Sequence, residues 1–142
     1  MKKALSLPTV NEPYYIIYMD KNIKQMLEND SNGLLTYEYI ANNIGSIDED
    51  MSALVDNMIM KDRTGQFVVS TARYLNAIDR ERYGSSIDLL IKAAIDKDRD
   101  RVYLATLASS IWGPDYRDHA DELSESDDNF RRIYKRLYPL GL

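Results

Sequence analysis

Cysteine is absent from the 142-residue chain, which removes disulfide frameworks, thiolate metal sites and cysteine nucleophiles together. Histidine occurs once, as His119, so serine–histidine catalysis would depend on that one ring. No segment approaches the roughly 18 consecutive apolar residues of a membrane span. The opening MKKALSLPTVNEP carries two lysines without the apolar run of a signal peptide. We therefore expect a cytoplasmic protein without a membrane partner. The patterns G-x-S-x-G, G-x-x-x-x-G-K-[ST] and G-x-G-x-x-G are all missing. The expectation is a non-enzymatic protein with no catalytic residues, no cofactor and no metal.

Positive charge is also in short supply. Eighteen Lys and Arg against 23 Asp and Glu leave a net charge of −5, with a pI near 4.9. Such a chain repels polyanions on average, so nucleic-acid binding requires a local basic patch. Phenylalanine and tryptophan are scarce, two and one, against eleven tyrosines. Tyrosine buries a ring while keeping its hydroxyl at the water boundary, which fits a thin core, an interface or both. What the chain has in quantity is apolar residues, 44% of the total, enough for a real core. Its length is that of one domain, or of a small domain with an appendage. No internal repeat and no low-complexity tract is evident.

Pro8 and Pro13 exclude a regular helix before about position 13, so residues 1–12 read as an extended arm. Ile16, Met19, Ile23, Met26 and Leu27 predict a helix over 13–29, closed by Asn29-Asp30-Ser31-Asn32-Gly33. Thr36 reads as the N-cap of a helix with Tyr37, Ile40, Ala41 and Ile44 on one stripe, ended by Gly45. Ser46-Ile47-Asp48-Glu49 fits a capping box opening the next helix, whose inward face is Ile47, Met51, Leu54, Val55 and Met58. The segments 58–61 and 66–70, joined by Asp62-Arg63-Thr64-Gly65, read as a β-hairpin, with Thr71 capping the helix after it. Two apolar helices follow, one capped by Ser86 and one over 100–112, stopped by Trp112-Gly113-Pro114. Residues 115–128 are acidic. A last helix places Phe130, Ile133, Tyr134 and Leu137 inside and Arg131, Arg132, Lys135 and Arg136 outside. The expected organisation is an arm (1–12), a domain (13–83) and a helical extension packed on it (84–142).

Within this layout, Leu35-Thr36-Tyr37-Glu38-Tyr39-Ile40-Ala41-Asn42-Asn43-Ile44-Gly45 is similar to the L-T-x-x-x-I-A-x-x-L-G helix of the winged helix-turn-helix superfamily. The resemblance spans about residues 34–75. It implies a mostly α fold: a winged helix-turn-helix-like core, a small β-hairpin wing and a C-terminal helical extension. Ser46 to Met60 would be the recognition helix and Asp62 to Ser70 the wing. By implication the protein is a DNA-associated regulator or accessory factor that acts by binding. Duplex DNA would meet Ser52 and Asn57, the wing residues Lys61 and Arg63, Arg73 beside them, and Arg131, Arg132, Lys135 and Arg136. Helices 86–112 would support a homodimer.

The recognition helix departs from that pattern where it would meet phosphate, because Asp48, Asp50 and Asp56 stand on its exposed face. The alternative is an acidic adaptor or inhibitor that docks those carboxylates onto a protein partner. A structural component of a larger assembly is the third reading. Asp96-Lys97-Asp98-Arg99-Asp100 begins like a calcium loop, but Arg101 replaces the turning glycine and Leu107 the closing glutamate, so it reads as a solvated turn. His119, among Asp115, Asp118 and Asp121, reads as part of a surface face.

Overall fold

The structure, a computed structural model, describes residues 20–140. The expected arm and the first part of the helix predicted over 13–29 lie outside the described residues. Regular structure consists of α1 (Lys21–Glu28), α2 (Leu34–Asn43), α3 (Met51–Lys61), α4 (Gln66–Asp79), α5 (Gly84–Lys97), α6 (Leu104–Trp112), α7 (Ala120–Ser126) and α8 (Asp128–Leu137). Short 3-10 turns occupy Asp48–Asp50 and Tyr116–His119. Among the described residues there is no strand, so the predicted wing, and with it the winged helix-turn-helix-like architecture, is corrected to an all-helical fold.

Asp62 explains the missing hairpin. It is 1% exposed, and its Oδ1 accepts from the backbone N–H groups of Thr64 and Gly65, both at 3.0 Å. Its Oδ2 accepts from Phe67 N and Val68 N, both at 2.9 Å. These are N–H groups that a helix start leaves without partners. Gly65, at φ +94°, makes the left-handed step that L residues avoid. The β-favouring run Gln66-Phe67-Val68-Val69-Ser70 therefore continues into α4, burying Val68, Val69, Thr71, Ala72 and Leu75. Strand propensity is weak against such burial and capping.

The same device recurs on either side. Asp30 accepts from Gly33 N (3.0 Å), Thr36 N (2.8 Å) and Thr36 Oγ1 (2.6 Å). Asp98 accepts from Val102 N (2.9 Å), Tyr103 N (2.6 Å) and Leu104 N (2.9 Å). Three residues beyond each aspartate the backbone turns to positive φ, at Gly33, Gly65 and Arg101. Six beyond stand Thr36, Val68 and Leu104, and ten beyond stand Ile40, Ala72 and Ala108, all 0% exposed. The chain thus contains an internal repeat that its sequence does not display, with a step of roughly one helix pair. Four predicted caps are corrected accordingly. Thr36 lies inside α2 as a donor to Asp30, and Ser46 Oγ donates back to Asn43 O. Thr71 and Ser86 lie inside α4 and α5.

The repeat builds two layers. Helices α2, α4 and α6, each opened by an aspartate turn, lie side by side, and α3, α5 and α8 form the second layer against them. Between the layers runs one core that includes Ile40, Leu54, Met58, Leu75, Leu90, Leu107 and Phe130. The turns stack along one edge: a methyl group at Gly65 would stand 3.1 Å from Asp98 Cβ, and one at Gly33 3.4 Å from Asp62 Cβ. Cations close the helix C-termini, where carbonyls lack partners. Lys61 Nζ donates to Glu28 O (2.7 Å) at the end of α1. Arg80 Nη1 donates to Ile111 O (2.7 Å) at the end of α6.

Asp30 couples this frame to pH. Burial by itself raises its carboxyl, but the bonds from the Thr36 hydroxyl and from the N–H groups of Thr36, Gly33 and Asn32 outweigh it and hold the group below its ordinary 3.8. A carboxyl depressed by folding stabilises the protein fully above the unfolded value and loses that contribution as pH falls through the folded one. Stability measured by denaturant titration is therefore expected to fall below about pH 4. Thr36→Val should make that decline shallower; an unchanged acid slope in the variant would refute the assignment.

Candidate anion-binding groove

Helix α8 is set by its first residues. Asp127 accepts from Asn129 N (3.0 Å) and Phe130 N (3.2 Å), capping the helix, while its Oδ2 takes the Trp112 indole N–H at 2.9 Å. Phe130 and Ile133 are then buried, Tyr134 and Leu137 half-buried, as the spacing predicts. An aromatic cluster fastens this end. Phe130 meets Trp112 and Tyr116 edge-on and stacks on Tyr134. The Tyr116 and Tyr138 hydroxyls bond at 2.9 Å, and burial, with that bond second, pushes the Tyr116 hydroxyl up to about 12. The Arg117 guanidinium lies 4.0 Å from the Tyr138 ring centre, a cation–π contact.

With its apolar side inward, α8 turns its cations toward the C-terminal part of α5. A groove of about 750 Å³ lies there, floored by Ile95, rimmed by Asp96 and lined by Arg99, Arg131, Arg132, Lys135 and Arg136. The cations differ in how far they are committed. Arg136 is structural, donating to Ile95 O (2.6 Å) and Asp98 O (2.7 Å) at the end of α5. Arg131 pairs with Asp128, whose carboxyl it holds below the usual value. Arg132 reaches only exposed Asp96, at 3.9 Å. Among the described residues, Arg99 and Lys135 have no ion pair within 4 Å. Such a set suits carboxylates or phosphates, the arginines as planar two-pronged donors and the lysine as a point charge.

The residues expected to meet DNA divide among several places. Arg131, Arg132, Lys135 and Arg136 come together in this groove. Lys61 and Arg63 line a separate hollow of about 260 Å³ with Ser31, Asn32 and Thr64. Ser52 borders a third, of about 230 Å³, with Asp48 and Arg82. Asn57 is turned inward, donating to Leu27 O (3.2 Å) and Thr36 Oγ1 (3.0 Å). Arg73 Nε bonds Ser110 Oγ (2.8 Å) on α6. Of the acidic alternatives, Asp56 is exposed on α3 and Asp50 half-buried at its start. Asp48 is engaged by the Arg82 guanidinium and by the Tyr83 hydroxyl at 3.2 Å.

Arg99 belongs to the groove and was passed over in the sequence, hidden in a run that resembled a calcium loop. The available signal was its place directly after a turn-forming aspartate, which puts it on the exposed edge. Asp98 is no solvated residue: it is 2% exposed and its carboxylate is filled by backbone N–H groups. His119 is exposed, 3.3 Å from Asp115 and 3.7 Å from Glu122. The apolar residues of α5 and α6 expected to support a dimer, among them Leu90, Ile91, Leu107 and Ile111, are buried in the chain's own core. Among the described residues no helix is long and apolar enough to cross a membrane.

Fold and groove together define a two-layer stack of helix pairs with a cationic groove at its C-terminal end. Comparison with protein-family models, with curated proteins and with solved structures finds no match to this chain.

Proposed function

We propose that the protein is a non-catalytic interaction module that presents its stacked helix pairs to another protein. The observation that carries this reading is the repeated aspartate turn, which locks successive helix pairs into one register. Arrays of this kind offer extended surfaces made of side chains at equivalent positions. Here Glu38, Ser70 and Thr106 occupy the same place on α2, α4 and α6, and none of them is buried. A duplex-DNA reader needs its contacts on one continuous face. The dispersal of Ser52, Asn57, Lys61 and Arg73 therefore favours protein over DNA as the ligand.

A photo-crosslinking side chain placed singly at exposed positions around both layers tests the proposal in the cells that make the protein. Discrete protein adducts from one contiguous face are expected. Adducts to nucleic acid, or none from any exposed position, would overturn it.

A further inference from the structure

We infer that the groove between α5 and α8 is the docking site for an acidic segment of the partner protein, one in which glutamate or aspartate side chains are interspersed with apolar ones. The inference rests on the interaction-module reading and adds the chemistry of the partner.

Charge is the first ground. The chain as a whole is acidic, at −5, yet five cations and a single carboxylate line this one groove. Local concentration of one sign against the overall balance steers a ligand of the opposite sign to that place. Availability is the second. Arg136 and Arg131 are bound within the chain, whereas Arg99 and Lys135 have no counter-ion within 4 Å among the described residues, and Arg132 has only a distant one. The free Arg99 guanidinium, the weakly held Arg132 and the Lys135 ammonium can take several carboxylates without breaking the frame. Shape is the third: the groove is shallow and open, about 750 Å³, which suits an extended segment laid along the surface better than a small molecule that needs enclosure. Ile95, 5% exposed at the floor, and the aliphatic stems of the arginines and lysine give an apolar side chain a surface to rest on between the charges.

The surroundings favour a peptide over a duplex. Helix α7 packs against α8 and exposes Asp121, Glu122 and Glu125, and Asp128 stands exposed beside Arg131. A duplex carries one phosphate charge per roughly 1.7 Å of axis. Extending beyond the groove, it would bring that array against these carboxylates. A peptide can place its acids at the arginines and leave the neighbouring stretch uncharged.

The experiment uses the full chain and a fluorescein-labelled, glutamate-rich peptide with interspersed leucines, followed by anisotropy at low and high salt. Wild type is expected to bind, with affinity falling as salt rises. Arg132→Glu combined with Lys135→Glu should weaken binding at least about tenfold. Arg99→Gln, a gentler change at an exposed turn, should weaken it about threefold. Arg63→Glu, on a different hollow, should leave it unchanged, and coincident thermal melts would show the variants folded. Equal binding by wild type and the groove variants would overturn the inference, as would no binding at all. Tighter binding of a duplex oligonucleotide with the same variant dependence would also overturn it. Absence of peptide binding alongside protein crosslinks from another face would sink the groove and keep the module; absence of both would sink both.

Discussion

Asp62→Ala is expected to destabilise the protein by on the order of 4 kcal/mol, and to lower the midpoint of thermal unfolding followed by circular dichroism by roughly 10–15 °C. The carboxylate it removes accepts four backbone N–H groups, two of which, on Gly65 and Val68, are buried. A bond to a charged acceptor contributes about 1.5–3 kcal/mol, and a buried donor left unpaired costs a comparable amount. The site also sits in the middle of the stack, with Gly65 against the Asp98 turn and Gly33 against Asp62 itself. Loosening it affects the turn on each side. Asp62→Asn should be nearly as damaging, because an amide keeps one acceptor and points its NH₂ at N–H groups. Thr64→Ala should cost about 1 kcal/mol or less, since its hydroxyl approaches Asp62 only at 3.4 Å and its bond from Gln66 N, at 3.2 Å, is exposed to water. A loss below about 1 kcal/mol for Asp62→Ala would show that the turn does not anchor the array.

The same residue shows why only part of the fold is legible in the sequence. Asp62-Arg63-Thr64-Gly65 is a turn by composition, and a turn is what it forms. Composition does not say whether a strand or a helix follows, because Asp and Gly serve both. The deciding fact is that the carboxylate reaches N–H groups up to six residues on, a property of geometry. The repeat is hidden for a related reason. Its buried sixth position is filled by Thr36, Val68 and Leu104, side chains of different chemistry, and its positive-φ position changes from glycine to Arg101. Helix α8 was legible because Phe130, Ile133 and Leu137 repeat at helical spacing beside an unbroken basic face. That also made Arg131, Arg132, Lys135 and Arg136 readable as one group. Asn57, Lys61 and Arg73 bond within the chain, to Leu27 O, Glu28 O and Ser110 Oγ, because donor side chains that look suited to DNA also serve carbonyls and hydroxyls of the fold. From sequence the two uses are the same residue types.

Phe130→Ala should cost about 3–5 kcal/mol, the range for deleting a fully buried aromatic ring. The ring is 0% exposed and lies 5.1 Å from Trp112, 6.0 Å from Tyr116 and 5.5 Å from Tyr134, centre to centre. Unlike Asp62, it sits at one end of the stack. It joins α8 to α6 and, through Tyr116, to the 3-10 turn that precedes α7. In an array of helix pairs each unit is stabilised chiefly by its neighbours, so damage at an end need not spread to the other. The two variants should therefore unfold differently. Trp112 is the only tryptophan in the chain, and its fluorescence reports on this end alone. In urea, Phe130→Ala is expected to lose that signal at a lower concentration than the helical circular dichroism contributed by α2 to α5. Asp62→Ala should lose both together. Coincident transitions in Phe130→Ala would mean that the whole stack folds as one unit and that α8 is no separable cap. If the transitions do separate, the cationic groove is the first feature lost, because four of its lining residues ride on α8. Binding of an acidic segment, by bridging α8 to Arg99 on the α5–α6 turn, should then raise the tryptophan transition toward that of the remainder.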